Sequence, residues 1–344
     1  MKKVQIGNVV IGGGENIAVQ SMTNVKTKDV EKCVDQIKSL EDVGCDIIRV
    51  AIPDMESAKA ISKIKSKISI PLVADIHFDY RLALECIENG VDKIRLNPGN
   101  IGSEDRIKEV AKKADLYNIP IRIGVNGGSL EKDILQKHGG PTSEAMIESA
   151  KRHIDILNKF DFDNIVVSLK ASDVINTIKV YTLVKEKLDY PLHLGVTEAG
   201  TYLSGTVKSS IAIGTLLKNK IGDTIRVSLT DDPVNEVIVA REILKSLNLL
   251  KNAPVMVSCP TCARCNINLI ELAKKVESYL AGVKKNIKVA VMGCAVNGPG
   301  EAREADIGVA GGNGYGLIFK KGEIFKKVKE NELSDELKKE IEKM

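Results

Sequence analysis

Short, nearly continuous apolar runs alternate with amphipathic stretches over the first two-thirds of the chain. The runs are AVQSM from Ala18, DIIRVA from Asp46, PLVADI from Pro71, DKIRLN from Asp92, IPIRIGV from Ile119, NIVVSLK from Asn164, PLHLGV from Pro191 and DTIRVSL from Asp223. Each is brief and rich in Val or Ile, the pattern of parallel strands covered on both faces by helices. The stretches between them have helical spacing, as in EDRIKEVAKKADLYN and in DVEKCVDQIKSLEDVG, which Gly44 ends. A doubly wound open sheet also alternates, but eight strand-helix units in about 230 residues match a (β/α)8 TIM barrel better. Ahead of the first barrel strand, KKVQIGNVVIGGG predicts a hairpin turning at Gly7-Asn8 and placed to plug the barrel floor. Gly12, Gly13 and Gly14 precede a strand instead of joining a strand to a helix, so they read as turn chemistry and not as a dinucleotide loop.

The rhythm breaks at Asn252-Ala253-Pro254. We therefore expect an α/β barrel domain over residues 1–253 and a smaller α+β domain over 254–344. The second domain contains a cysteine-rich segment, the helix-like NLIELAKKVESYLAG and the strand-like NIKVAVMG. From Lys320 onward, Lys and Glu with Ile, Leu and Val at helical intervals predict a solvated terminal helix.

Composition narrows the classes. Fifty Lys and Arg against 46 Asp and Glu leave a formal charge of +4, too little to imply a nucleic-acid partner, and aromatic residues make up only 3% of the chain. No apolar run approaches the roughly 20 residues of a membrane helix. The N-terminal MKKVQIGNVVIGGG has no signal-peptide core, so a cytoplasmic protein without a membrane partner is expected. In that compartment seven cysteines point to metal binding or burial and not to disulfides. Cys33, Cys45 and Cys86 stand singly in apolar context and are expected to be buried thiols.

Four strand runs share the triplet Ile-Arg-aliphatic, at Arg49, Arg95, Arg122 and Arg226, and a fifth run ends in Lys170. Buried arginine is costly unless paired, so a repeated arginine needs a shared cause. At the C-terminal rim of a barrel these cations would face one pocket, and their forked guanidinium groups suit a substrate with two phosphates. The structural alternative is that they are neutralised by Asp75, Asp46 and Glu198 to close the barrel. The same rim would carry Asp75 and His77 from ADIHF, Asn97 from RLNPGN, Asn126 from GVNGGSL, and His193 with Glu198 from HLGVTEAG. In the second domain, SCPTCARCN sets Cys259, Cys262 and Cys265 at C-x-x-C spacing, and MGCAVNGPGE adds Cys294. Such thiolates bind zinc or an iron-sulfur cluster. The lack of a second C-x-x-C pair favours the cluster. A barrel with a structural zinc domain and a corrinoid or pterin methyl-transfer component remain as rival readings.

SCPTCARC with GCAVNGPGE, behind ADIHF, RLNPGN, RIGVNGGSL, SLKASD and HLGVTEAG, closely resembles the 4-hydroxy-3-methylbut-2-enyl diphosphate synthase family over essentially the whole chain, in its bacterial two-domain form. The resemblance implies a 4Fe-4S cluster held by Cys259, Cys262, Cys294 and Glu301, although spacing alone would choose Cys265 as the fourth ligand. It implies reductive opening and dehydration of 2-C-methyl-D-erythritol 2,4-cyclodiphosphate in the non-mevalonate isoprenoid pathway. Ferredoxin or flavodoxin would supply electrons, and a homodimer would close the cluster domain of one subunit over the barrel of the other. Arg49, Arg95, Arg122, Lys170 and Arg226 would hold the diphosphate, with Asp75, His77, Asn97, Asn126, His193, Ser228 and Asn297 as further substrate contacts. Glu198 and Glu301 are the candidate catalytic carboxylates.

Overall fold

The computed structural model describes residues 2–294 and 302–344, which form two compact units, residues 1–249 and 250–344. In the first unit β1 (Lys3–Ile6) and β2 (Val9–Gly12) make an antiparallel hairpin, with Gly7 at the positive φ of 54° that the two-residue turn requires. Val4, Ile6 and Ile11 pack with Ala18, Ile47, Val73 and Val166, which are first or second residues of barrel strands. The hairpin thus closes the N-terminal end of the barrel.

The barrel strands are β3 (Ala18–Met22), β4 (Ile47–Ala51), β5 (Leu72–Asp75), β6 (Lys93–Arg95), β7 (Ile121–Asn126), β8 (Ile165–Lys170), β9 (His193–Leu194) and β10 (Thr224–Ile225). All neighbours are parallel, in the order β8-β7-β6-β5-β4-β3-β10-β9, and a parallel bridge from Val167 to Leu192 joins β8 to the start of β9 and closes the ring. Helices follow the strands, and Asp caps several of them: Asp54 accepts from the Ser57 N–H at 2.8 Å, Asp173 from Asn176 at 2.6 Å and Asp232 from Val234 at 2.9 Å. Cys33, Cys45 and Cys86 are buried, and burial pushes their thiols up to about 11, 12 and 12.

A four-residue unit, Asp-x-Ile-Arg, recurs at Asp46–Arg49, Asp92–Arg95 and Asp223–Arg226. Its Asp accepts, at 2.7 Å each time, a backbone N–H at the start of the preceding strand in the ring: Val19 for Asp46, Leu72 for Asp92 and Leu192, just before β9, for Asp223. Asp46 is therefore a strand brace and not the counter-ion of Arg49.

The second unit is a five-stranded mixed sheet in the order β11 (Val255–Ser258), β12 (Lys288–Met292), β13 (Ile307–Gly311), β14 (Tyr315–Lys320), β15 (Glu323–Lys329). The first three strands are parallel and the last two antiparallel to their neighbours. Helices α10 (Leu269–Leu280) and α11 (Leu333–Glu342) cover one face, through Leu272, Val276, Leu333, Leu337 and Ile341 against Val291, Val309 and Ile318. The tail differs from the expected solvated helix. Glu323–Lys329 is a strand, and the helix after it is amphipathic, with one side buried in this core.

Candidate active site

Because side chains alternate along a strand, Lys93 and Arg95 of β6 project the same way, and the ladder sets Asp75, Arg95 and Arg122 side by side on β5, β6 and β7. Asp75 joins two of the arginines: Arg95 Nη1 donates to Oδ1 at 3.3 Å, and Arg49 Nε lies 3.8 Å from Oδ2. Arg95 also donates to the Gly124 carbonyl at 3.2 Å, and a Cβ on Gly124 would stand 2.8 Å from Arg95 Nε. Gly195 makes the same room for Lys170, whose Nζ lies 2.8 Å from that glycine's ideal Cβ. Glycine at these two strand positions is what lets the cations lie against the wall.

Arg49, Lys93, Arg95, Arg122 and Lys170 are all buried, and Arg226 is mostly so. The acids near them are Asp75 and Glu236, the latter 3.9 Å from Arg226 Nε. Six cations against two anions cannot be a self-neutralised core. Burial first, then Arg226, pushes Arg49 down to about 9, which leaves it cationic at neutral pH. Arg122 and Lys170 are pushed well down by burial and by their cationic neighbours. Burial opposes ionisation of Asp75, but His77 and the guanidinium groups of Arg49, Arg95 and Arg122 outweigh it and hold the carboxyl well below the usual range. Buried Arg122 Nε and Nη1, Arg226 Nε and Gln20 Nε2 have no protein partner. Unpaired buried donors are costly, and these could be satisfied by an acceptor-rich anion.

The cations form a column more than a rim. Lys170 ends β8 and Arg226 follows β10, as expected, but Arg122 is the second of six residues in β7 and lies within the barrel. Lys93, fully buried and 3.3 Å from Gln20 Oε1, belongs to this column and was missed. Its two-residue offset from Arg95 was the available signal. Glu236 was also missed. It lies on helix α9 (Pro233–Ser246), accepts from the Leu229 N–H at 2.9 Å and is 3.3 Å from Ser21 Oγ.

The polar candidates separate by environment. Asn97 is committed to β7: its amide donates to the Gly124 carbonyl at 2.9 Å and its carbonyl accepts from the Gly124 N–H at 2.9 Å, so it positions that strand. His193 is fully buried, with Nδ1 2.8 Å from Thr224 Oγ1, and burial and the surrounding cations hold it neutral. His77 is 56% exposed, with Nε2 3.7 Å from Asp75 Oδ2. Asn126 and Ser228 are half-buried. Glu198 is exposed in the loop after β9 with φ of 53°, a left-handed backbone that costs a non-glycine residue about 1 kcal/mol and is concentrated at functional loops.

The cysteines follow the parallel strands of the second sheet, Cys259 just after β11 and Cys294 two residues after β12. The Gly293 N–H donates to Cys259 Sγ at 3.1 Å, and a Cβ on Gly293 would meet Cys265 Sγ at 2.8 Å. The Cys265 thiol donates to the Ile267 carbonyl at 3.3 Å. Cys262 is exposed, and the Arg264 backbone N–H and side chain lower its pKa. Among the described residues no three Cys, His, Asp or Glu stand close enough to hold a metal ion together, and Asn297 and Glu301 lie outside those residues. The donor chemistry suits a thiophilic iron group: the Cys259 and Cys265 thiols both lie at Gly293, whose backbone amide is aimed at the Cys259 sulfur.

Comparison with known proteins covers both units. The GcpE TIM-barrel domain matches residues 1–241, and the GcpE protein C-terminal domain matches residues 255–343. The chain is 62% identical over 340 residues to 4-hydroxy-3-methylbut-2-en-1-yl diphosphate synthase (flavodoxin) of Caldicellulosiruptor saccharolyticus, covering 99% of this chain and 98% of that one. It is 60% identical over 339 residues to the Clostridium tetani protein of the same name, covering 98% and 97%. Among solved structures, dihydropteroate synthase from Stenotrophomonas maltophilia covers 72% of this chain and 97% of its own, with a TM-score of 0.54 at 13% identity. That likeness shows the fold alone.

Proposed function

The chain belongs to the GcpE family of 4-hydroxy-3-methylbut-2-en-1-yl diphosphate synthases, and from that premise we propose how its residues carry out the family reaction. The substrate is 2-C-methyl-D-erythritol 2,4-cyclodiphosphate. Two electrons and two protons enter, one ring carbon–oxygen bond breaks, and a neighbouring hydroxyl leaves as water. The observation that carries the reading is the column of six cations facing two anions, with buried guanidinium donors left unpartnered.

Arg49, Arg95, Arg122, Lys170 and Arg226 bind the diphosphate, and Lys93 supports it from below. When the ring opens, the released diphosphate oxygen takes up negative charge inside this field, where fixed donors act in low dielectric without reorganising. Asp75 orders Arg49 and Arg95, and Asn97 orders β7. His193 is neutral and buried, so it serves as a hydrogen-bonding group and not as an acid. Glu198 is the proton-handling carboxylate, with its exposure and its left-handed backbone as support. Asn126, Ser228 and His77 contribute polar contacts at the mouth, and Asn297, outside the described residues, is a further candidate substrate contact.

Cys259, Cys262, Cys294 and Glu301 are the residues that would hold a 4Fe-4S cluster, with Cys265 as the alternative fourth ligand. Such a cluster, when bound, supplies single electrons to the substrate. A carboxylate ligand such as Glu301 is harder than thiolate and would be the most readily exchanged of the four. The relatives' names support flavodoxin as donor. The family resemblance supports a homodimer, which the mass in solution will test.

Anaerobic purification with iron, sulfide and zinc analysis, then assay with the cyclodiphosphate and a strong one-electron reductant, tests the reading. About four irons and four sulfides per chain with reductive ring opening are expected. Zinc without sulfide, and no turnover after cluster reconstitution, would overturn it in favour of a zinc-domain barrel.

A further inference from the structure

The two faces of the second sheet are covered unequally. Ile318 and Val328 point into the core under α10 and α11. On the opposite face Ala290, Met292, Ala310 and Phe319 pack with Cys259, but the covering stops at the β14–β15 edge. There Tyr315 and Leu317 are only half-buried, and Ile324, which pairs with Phe319, is 60% exposed. Lys327 lies opposite Leu317 in the ladder, and Lys329 opposite Tyr315. Lys327 Nζ sits 3.7 Å from the Tyr315 ring centre. Of the five lysines between Tyr315 and Lys329, Lys320 and Lys326 pair with Glu340 and Glu336 of α11 on the helix-covered side, which leaves Lys327 and Lys329 beside Leu317 and Tyr315. The result is a small apolar centre inside a cationic rim, on an edge strand that no other described strand pairs.

We propose that this face docks an acidic, one-electron donor protein; the proposal rests on the redox reading above. Charge chooses the occupant. The same cationic face on a second copy would be repelled by Lys327 and Lys329, whereas an acidic partner is attracted. Position supports the same choice. The C-terminal ends of β11, β12 and β13 share one end of the sheet with Tyr315 and Lys329, because β14 and β15 run antiparallel to their neighbours. β14 is two strand spacings, about 10 Å, from cysteine-bearing β12. Redox encounters are small and short-lived, which suits a patch of this size. Each docking oxidises the donor by one electron and reduces the cysteine-held group by one, and two dockings supply the pair that ring opening consumes.

The test uses anaerobically purified holoenzyme with Lys327→Glu/Lys329→Glu, and Lys321→Glu as a control in the turn at the far end of the same hairpin. An acidic flavodoxin is the probe. Its affinity is measured by titration at several salt concentrations, and turnover is measured with flavodoxin and separately with reduced methyl viologen. The double variant is expected to bind flavodoxin about tenfold or more weakly with a flatter salt dependence, and to lose flavodoxin-driven kcat/KM in proportion. Its viologen-driven turnover and iron content are expected to match wild type, and Lys321→Glu to match wild type throughout. Lys327→Gln/Lys329→Gln gives the same test without charge reversal should the double variant fold poorly. Wild-type flavodoxin affinity in the glutamine or glutamate pair, an equal loss in Lys321→Glu, or a change in oligomeric state with donor binding intact would each overturn the docking proposal alone. Wild-type enzyme without iron or without viologen-driven turnover would instead overturn the redox reading beneath it.

Discussion

Replacing Arg122 with Met should move stability and activity in opposite directions. The side chain is 2% exposed, Nε and Nη1 have no partner, and Arg49, Arg95 and Arg226 repel it with Asp75 the only opposing charge beside it. Methionine keeps most of the volume and removes both the repulsion and the unpaired donors. Replacing buried charge by packed apolar groups commonly stabilises by about 1–4 kcal/mol. At about 2–4 °C per kcal/mol for a unit of this size, Tm should rise by several degrees in the ligand-free protein. Substrate loses two charge-assisted hydrogen bonds of about 1.5–3 kcal/mol each, so kcat/KM should fall about 100-fold or more. Pyrophosphate sharpens the contrast. At a hundred times its dissociation constant it should stabilise wild type by about 2.7 kcal/mol and the variant far less. Calorimetry with and without pyrophosphate, alongside steady-state kinetics, reads all three quantities. A variant that unfolds earlier than wild type yet binds pyrophosphate equally well would show that Arg122 holds the barrel together, and would refute the argument.

Other substitutions probe the supports. Asp75→Asn removes the acid beside three arginines and should destabilise the ligand-free barrel by about 3 kcal/mol near neutral pH. Because the folded state lowers the Asp75 pKa, its contribution is present above the unfolded value near 4 and is lost as pH falls below it; the variant's stability should therefore fall less steeply than wild type's in acid titrations below about pH 4. Tyr181 donates to the His193 carbonyl at 2.5 Å and accepts from the Leu169 N–H at 3.0 Å, tying β8 to the two-residue β9. Tyr181→Phe should lose about 1–3 kcal/mol in urea melts, and a melt equal to wild type would show that water replaces the hydroxyl. Alkylation of the iron-free protein at pH 8, read by peptide mass, should label Cys259, Cys262 and Cys294 and spare Cys33, Cys45 and Cys86, whose thiols are buried and raised. Labelling of the latter three at the same rate would show that the barrel opens.

The barrel was legible because parallel strands buried on both faces leave an unmistakable run of aliphatics. The cations were legible because arginine in such a run demands a reason. Their depth was not. The repeated Ile-Arg triplet suggested equivalent positions, yet Arg122 sits early in β7 while Arg226 follows β10, since strand starts are staggered around a closed ring. Lys93 was hidden by its neighbour Arg95, and Glu236 because a buried helical acid leaves no local signature. In the tail, charge density masked a strand. Glu323–Lys329 reads as solvated because its only buried residue is Val328, which is what an uncovered edge strand looks like in sequence.

The recurring Asp-x-Ile-Arg unit shows how one short pattern serves both fold and site. The Asp lies just before its strand and caps an N–H at the start of the neighbouring strand, a local bond that fixes register whatever occupies the barrel. Ile, one residue before Arg, points to the opposite face and packs under the helices, since successive side chains alternate. The Arg is then carried to the site by a strand whose register and outward packing are already secured, so its unfavourable burial needs only partial offset by Asp75 and Glu236. The fourth arginine lacks the Asp: Pro120 precedes β7, and its carbonyl accepts from the Ile94 N–H of β6 at 3.1 Å. Strand placement and anion binding thus rest on different atoms of the same segments, which is why a barrel with a surplus of buried positive charge can still fold before its anion arrives.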